Sequence, residues 1–124
     1  MVVLYVDDDA DDLQLFNEAV KEVDPAIIFI AASSAEEALN FLHGELLPDQ
    51  IFMDINMPVM NGIECLTRIR STERIKHVPV VMLSTSQNVS DIEQSNALQA
   101  DFISKPNSFR NLVAELTTRL KQLK

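Results

Sequence analysis

Short apolar runs alternate with amphipathic stretches along the whole chain. Five runs read as strands: Val2–Val6, Ile27–Ala31, Gln50–Asp54, Val80–Leu83 and Asp101–Ser104. Between them apolar residues recur at helical spacing. The first helical pattern covers Asp11–Val23, with Leu13, Phe16, Ala19, Val20 and Val23 on one face. A second follows Ser33-Ser34, where Glu36 and Glu37 complete a capping-box signature, and carries Ala38, Leu39 and Leu42. The third runs from Gly62 to Ser71 with Ile63, Leu66 and Ile69. The fourth, Ser90–Leu98, is the least apolar. The last, Ser108–Leu123, has a stripe of Phe109, Leu112, Val113, Leu116, Leu120 and Leu123.

Strand then helix, repeated, predicts an α/β fold: a parallel sheet with helices on both faces and right-handed crossovers. The first four strands are near-continuous apolar runs, which predicts burial on both faces. Open sheets of this kind bind ligands beyond the carboxyl ends of their strands, at a topological switch point. The chemistry is therefore sought at the strand ends. No repeat, low-complexity tract or linker interrupts the pattern, so residues 1–124 are expected to form one domain with no output module attached.

Composition narrows the function classes. With 124 residues and 47% hydrophobic content, the chain has enough material for one packed core. No apolar run is long enough for a membrane helix, and no basic leader precedes the first strand. A single cysteine, Cys65, excludes an internal disulfide and favours the cytoplasm. The net charge of -9 is uneven: residues 1–24 hold eight acids and one base. Nucleic-acid binding is disfavoured because no basic stripe exists to neutralise phosphates. The segment 108–124 carries Arg110, Arg119, Lys121 and Lys124 against Glu115, and reads as a solvated helix face.

The strand ends carry Asp7, Asp8 and Asp9, then Asp54, then Ser84 and Thr85, then Lys105. The second strand contributes nothing reactive. Like charges at ~4 Å repel by about 4 kcal/mol at an effective dielectric near 20, so clustered acids here need a cation. Oxygen ligands without His or Cys favour Mg²⁺. A lysine and a hydroxyl beside a metal-bound carboxylate suit the equatorial oxygens of a phosphoryl group. Phosphoryl transfer follows, with an aspartate as the nucleophile. Asp9, Asp11 and Asp12 stand where the first helix begins, and capping with macrodipole complementation accounts for them. Gly62 reads as a turn residue needing positive φ. His43 and His77 read as solvent-facing.

Four segments then point to a family: Leu4-Tyr5-Val6-Asp7-Asp8-Asp9, Met53-Asp54-Ile55-Asn56-Met57-Pro58-Val59-Met60-Asn61-Gly62, Pro79-Val80-Val81-Met82-Leu83-Ser84 and Ile103-Ser104-Lys105-Pro106. In this order they resemble the receiver domain of two-component response regulators over essentially the whole chain. The resemblance implies a flavodoxin-like, doubly wound five-stranded sheet in the order 2-1-3-4-5. It implies that Asp54 accepts a phosphoryl group from a sensor histidine kinase or phosphotransfer protein. Asp8 would bind Mg²⁺ directly, Asp7 through water, and Asn56 through its backbone carbonyl, with Asp54 completing the site. Ser84 would be the switch hydroxyl, Lys105 the phosphoryl partner and Phe102 the switch aromatic. Lys105–Pro106 would be a cis peptide.

The same resemblance implies a stand-alone phosphorelay regulator, not a multiple-turnover enzyme on small substrates. An unknown downstream protein would dock on the face made by the fourth helix, fifth strand and fifth helix, and a phosphorylation-dependent homodimer stands open. Asn56 and Ser86 fall where the family tunes acyl phosphate hydrolysis. Haloacid-dehalogenase-type phosphatases also use an aspartate nucleophile with Mg²⁺, but need a second aspartate where this chain has Asn56. One departure from the receiver pattern stands out. The family usually has a Gly-Ala pair before the fifth strand; here Leu98-Gln99-Ala100-Asp101 occupies a shortened segment.

Overall fold

The computed structural model describes residues 1–121. It contains β1 (Val2–Val6), α1 (Ala10–Val23), β2 (Ile28–Ala32), α2 (Ala35–Leu42), β3 (Gln50–Asp54), α3 (Gly62–Ser71), β4 (Val80–Ser84), α4 (Val89–Ala97), β5 (Asp101–Ser104) and α5 (Phe109–Lys121). The five strands form one parallel sheet in the order β2-β1-β3-β4-β5. Leu123, assigned above to the last apolar stripe, lies outside the described residues.

Side-chain alternation divides the core in two. Leu4, Val6, Ile51, Met53, Val80 and Met82 pack with α2 and α3, and with Leu98 beyond the end of α4. Val3, Tyr5, Phe52, Val81 and Leu83 face the other way and pack with Phe16, Ala19 and Val20 of α1 and Leu116 and Leu120 of α5. The three central strands are buried throughout. β2 is not, and the expectation of two-sided burial fails there: it is an edge strand, with Ile28 half exposed. Its start is also one residue later than the apolar run. Ile27 is buried in the α1/α5 core, whereas strand pairing begins at Ile28 opposite Val2.

Helix starts follow side-chain capping. Asp9 caps α1, accepting from the backbone of Asp11 and Asp12, and Ser34 caps α2, accepting from Glu37. The reciprocal half of the capping box expected at α2 is absent, because the Glu37 carboxylate accepts from Ser33 Oγ at 2.8 Å instead. A complete capping box stands at α3, between Asn61 and Glu64.

The glycine-free segment before β5 has a local solution. The Ala100 amide donates to Ser95 O at 2.9 Å and the Gln99 amide to Asn96 O at 3.0 Å, a Schellman end to α4. Gln99 stands at φ 59, in the left-handed region where glycine is favoured, and Ala100 is buried behind it. The Arg70 guanidinium ties this loop to the one before β4, donating to Leu98 O at 2.7 Å and Gln99 O at 3.2 Å on one side and to Val78 O at 2.7 Å and Lys76 O at 3.0 Å on the other. Gln99→Gly is expected to raise stability by about 0.5 kcal/mol, relief of left-handed strain outweighing the added chain entropy of glycine. Urea denaturation checks it, with an unchanged slope and a higher midpoint.

Candidate functional site

The sheet order reverses between β1 and β3, and the acids at these two strand ends converge there. Asp7 is 1% exposed and Asp54 5% exposed, while Asp8 faces solvent. One carboxylate oxygen from each of Asp7, Asp8 and Asp54 lies within 4.8 Å of the others. Lys105, directly after β5, is carried into this cluster by its backbone bond to Ser84 O at 2.9 Å. Its Nζ lies 2.9 Å from Asp7 Oδ2, 3.0 Å from Asp12 Oδ2 and 3.6 Å from Asp54 Oδ2.

Asp7 is held on several sides. Its Oδ1 accepts from the Asp9 amide at 3.0 Å, and its Oδ2 accepts from Lys105 and from the Tyr5 hydroxyl. Tyr5 lies two residues before Asp7 on the same strand face and stacks on Phe16 at 3.9 Å between ring centroids. Burial, and then the bond to Asp7, push the Tyr5 phenol far above its ordinary range, so it donates and stays neutral. Burial opposes the charge on Lys105, but hydrogen bonds to Asp7 and Asp12 and the charge of Asp54 outweigh it, and its pKa is raised.

The environment of Asp54 disfavours its charge. Burial pushes its carboxyl from 3.8 up to about 6; Lys105 pulls it down, Asp7 and Asp8 push it up, and the Asn56 amide at 3.4 Å lowers it. The stability consequence has a definite sign. The folded carboxyl keeps its proton to about pH 6 while the unfolded one loses it near 3.8, so stability falls as pH rises through that window. Asp54→Asn removes this penalty. In metal-free buffer the variant should be more stable than the parent above pH 7, by on the order of 2 kcal/mol, and the gain should fade as pH drops below about 6. Thermal unfolding across pH in chelator measures it.

The sequence-predicted residues separate into two groups. Asp7, Asp8, Asp54 and Lys105 meet in one pocket. Ser84 is fully buried at the end of β4, but its Oγ accepts from the Ser86 amide at 3.1 Å; Thr85 is exposed. The Asn56 side chain is exposed. Phe102 is half buried, beside a cavity lined by Ile92, Asn96 and Arg119. His43 and His77 are exposed.

Three expectations need correction. Among the described residues no peptide is cis, so Lys105–Pro106 is trans. Gly62 has no positive φ; its reason is space, since a Cβ there would stand 2.4 Å from Asp54 O and 2.9 Å from Ile55 Cα. Asp12 is more than a first-turn acid, because it pairs with Lys105 from 93 positions away in the chain. Tyr5 was also missed, although a lone polar tip in an apolar strand, in phase with Asp7, was a legible signal.

Fold and site together define a metal-compatible acidic pocket at the switch point of a doubly wound sheet. Comparison with known proteins gives the class: the profile of the response regulator receiver domain matches residues 3–117. The chain belongs to the response regulator receiver domain family, whose members work in phosphorelay signalling. It is 30% identical over 118 residues to response regulator Rcp1 of Synechocystis sp., covering 90% of this chain and 80% of that protein. The Mn²⁺-bound form of Rcp1 superposes with a TM-score of 0.83 at 29% identity, over 94% of this chain and 89% of that one. The phosphorylated cyanobacterial phytochrome response regulator RcpA superposes with a TM-score of 0.87 at 30% identity, over 97% and 91% of the two chains. A protein-glutamate methylesterase/protein-glutamine glutaminase of Syntrophomonas wolfei is 34% identical over 108 residues and 85% of this chain, which spans only 30% of that longer protein. The oxygen-only donor set of Asp7, Asp8 and Asp54 fits a hard divalent cation.

Proposed function

We propose that Asp54 is the phosphoacceptor of a Mg²⁺-dependent phosphorelay step. The carrying observation is the convergence of three carboxylates and the Lys105 ammonium where β1 and β3 end side by side. An Asp54 carboxylate oxygen attacks the phosphorus of a phosphohistidine on a sensor kinase or phosphotransfer protein. The O–P bond forms as the P–N bond breaks, and the bonding pair returns to the imidazole nitrogen. Asp8, Asp54, the Asn56 carbonyl and, through water, Asp7 would hold Mg²⁺, which when bound neutralises charge on the phosphoryl oxygens. Lys105 pairs with one phosphoryl oxygen. Ser84 gives up Ser86 and donates to another. Water later attacks the phosphorus as the Asp54 O–P bond breaks, regenerating the carboxylate and releasing inorganic phosphate, so the chain slowly reverses its own modification in the cytoplasm.

Modification biases a two-state face. Movement of Ser84 towards the phosphoryl group vacates space into which Phe102 turns, and the surface formed by α4, β5 and α5 changes shape for a downstream protein. Thin packing suits α4 to that role: Ser95 is its one buried residue.

Acetyl phosphate with Mg²⁺ should add one phosphoryl group per chain, stable to acid and labile to base. Asp54→Ala should add none. Equal labelling of the two proteins removes Asp54 from the mechanism, and sustained release of phosphate from simple esters would favour the phosphatase reading.

A further inference from the structure

Lys105 is shared unequally. Its ammonium has three protons to give; Asp7 and Asp12 stand at hydrogen-bond distance, 2.9 and 3.0 Å, and Asp54 stands outside it at 3.6 Å. The two close partners differ in cost of release. The Asp7 side chain is 1% exposed and that of Asp12 is 39% exposed. Separating Lys105 from Asp7 strands a buried carboxylate, whereas Asp12 rehydrates readily. Asp12 is also placed with some care. Its amide is bonded to the Asp9 side chain at 3.2 Å, so the α1 cap that starts the helix sets where this carboxylate stands. Asp12 is not among the acids that could share a cation with Asp54.

We propose that Asp12 is a positioning residue that holds Lys105 on the α1 side of the pocket and competes with a phosphoryl oxygen for its ammonium. When Asp54 carries a phosphoryl group, Lys105 turns to it and gives up Asp12 while keeping Asp7. Asp12 thereby sets how strongly the unmodified state is preferred, and its carboxylate is freed at the mouth of a cavity of about 330 Å³ lined also by Leu15, Pro106 and Phe109. This rests on the phosphoacceptor reading of Asp54.

The test uses beryllofluoride, an analogue of the phosphoryl group, titrated at saturating Mg²⁺ against the parent, Asp12→Asn and Asp12→Glu. Asp12→Asn should bind it about three-fold more tightly at low salt, on the scale of an ion pair with one solvent-reachable partner. Asp12→Glu, which keeps the charge, should return towards the parent. The ratio of parent to Asp12→Asn should shrink in molar salt, because salt ions reach the Asp12 side of the pair, which is 39% exposed; a purely structural role for Asp12 would leave that ratio unmoved by salt. Equal or weaker binding by a folded Asp12→Asn, or a salt-independent ratio, overturns the proposal while leaving Asp54 as phosphoacceptor. Absence of binding by the parent itself, or binding that survives Asp54→Ala, removes both.

Discussion

Gly62→Ala should be among the most damaging single-methyl additions this chain can receive. The new Cβ would stand 2.4 Å from Asp54 O, 2.9 Å from Ile55 Cα and 3.0 Å from Met82 Cε. Two of those three atoms are backbone, and the Gly62 amide is itself bonded to Ile55 O at 2.8 Å. The start of α3 cannot retreat without breaking that bond. The strand cannot retreat without moving Asp54. The expected cost is about 3 kcal/mol, at the upper end for overpacking, read as a lower midpoint in urea. Beryllofluoride affinity should also fall in the fraction that remains folded, because the displaced backbone carries Asp54, the proposed acceptor. Gly44→Ala is the contrast: it is exposed, its nearest neighbour is Phe41 O at 3.2 Å, and its effect should stay within about 1 kcal/mol.

Lys105→Met should be nearly as costly in the metal-free protein, for an electrostatic reason. Lys105 is the single cation within 4 Å of Asp7, Asp12 and Asp54 among the described residues. Its removal leaves Asp7 buried with two neutral donors, the Tyr5 hydroxyl and the Asp9 amide. Breaking a buried ion pair from one side costs about 3 kcal/mol, reduced to the extent that a carboxyl takes up a proton instead. Asp54 also loses the largest influence that lowers its pKa, so its carboxyl should hold a proton to higher pH than in the parent. Both effects reverse when another cation enters. Mg²⁺ should therefore raise the melting temperature of Lys105→Met by more than it raises that of the parent. Equal Mg²⁺ shifts would mean that the acids and the lysine do not share one field.

How legible this was in the sequence depended on range. β1, β3 and β4 are apolar, central and buried on both faces, so a run of apolar residues ending in a polar one marks them. β2 was misread because an edge strand buries only part of itself, and Ile27 contributes to the core without joining the ladder. The pocket acids were readable because strand ends of a parallel sheet meet at one edge. Asp12 was not, since its pairing with Lys105 joins residues far apart in the chain and depends on how α1 sits beside the loop after β5. Gly62 was assigned the wrong cause for the same reason: a conformational need is local, whereas a close approach to the Asp54 carbonyl is tertiary. At Gln99 the missing glycine was visible, but the remedy, a clamp by Arg70 from another helix, was not.

Locating the phosphoryl group tests the role of Asp54 most directly. Protein treated with acetyl phosphate and Mg²⁺ is reduced with borohydride, which converts an aspartyl phosphate to homoserine, and is then digested and sequenced by mass spectrometry. Homoserine is expected in place of aspartate at Asp54 and nowhere else, and none when Mg²⁺ is chelated. Modification at Asp7, Asp8 or His43 with Asp54 intact would remove Asp54 from the acceptor role.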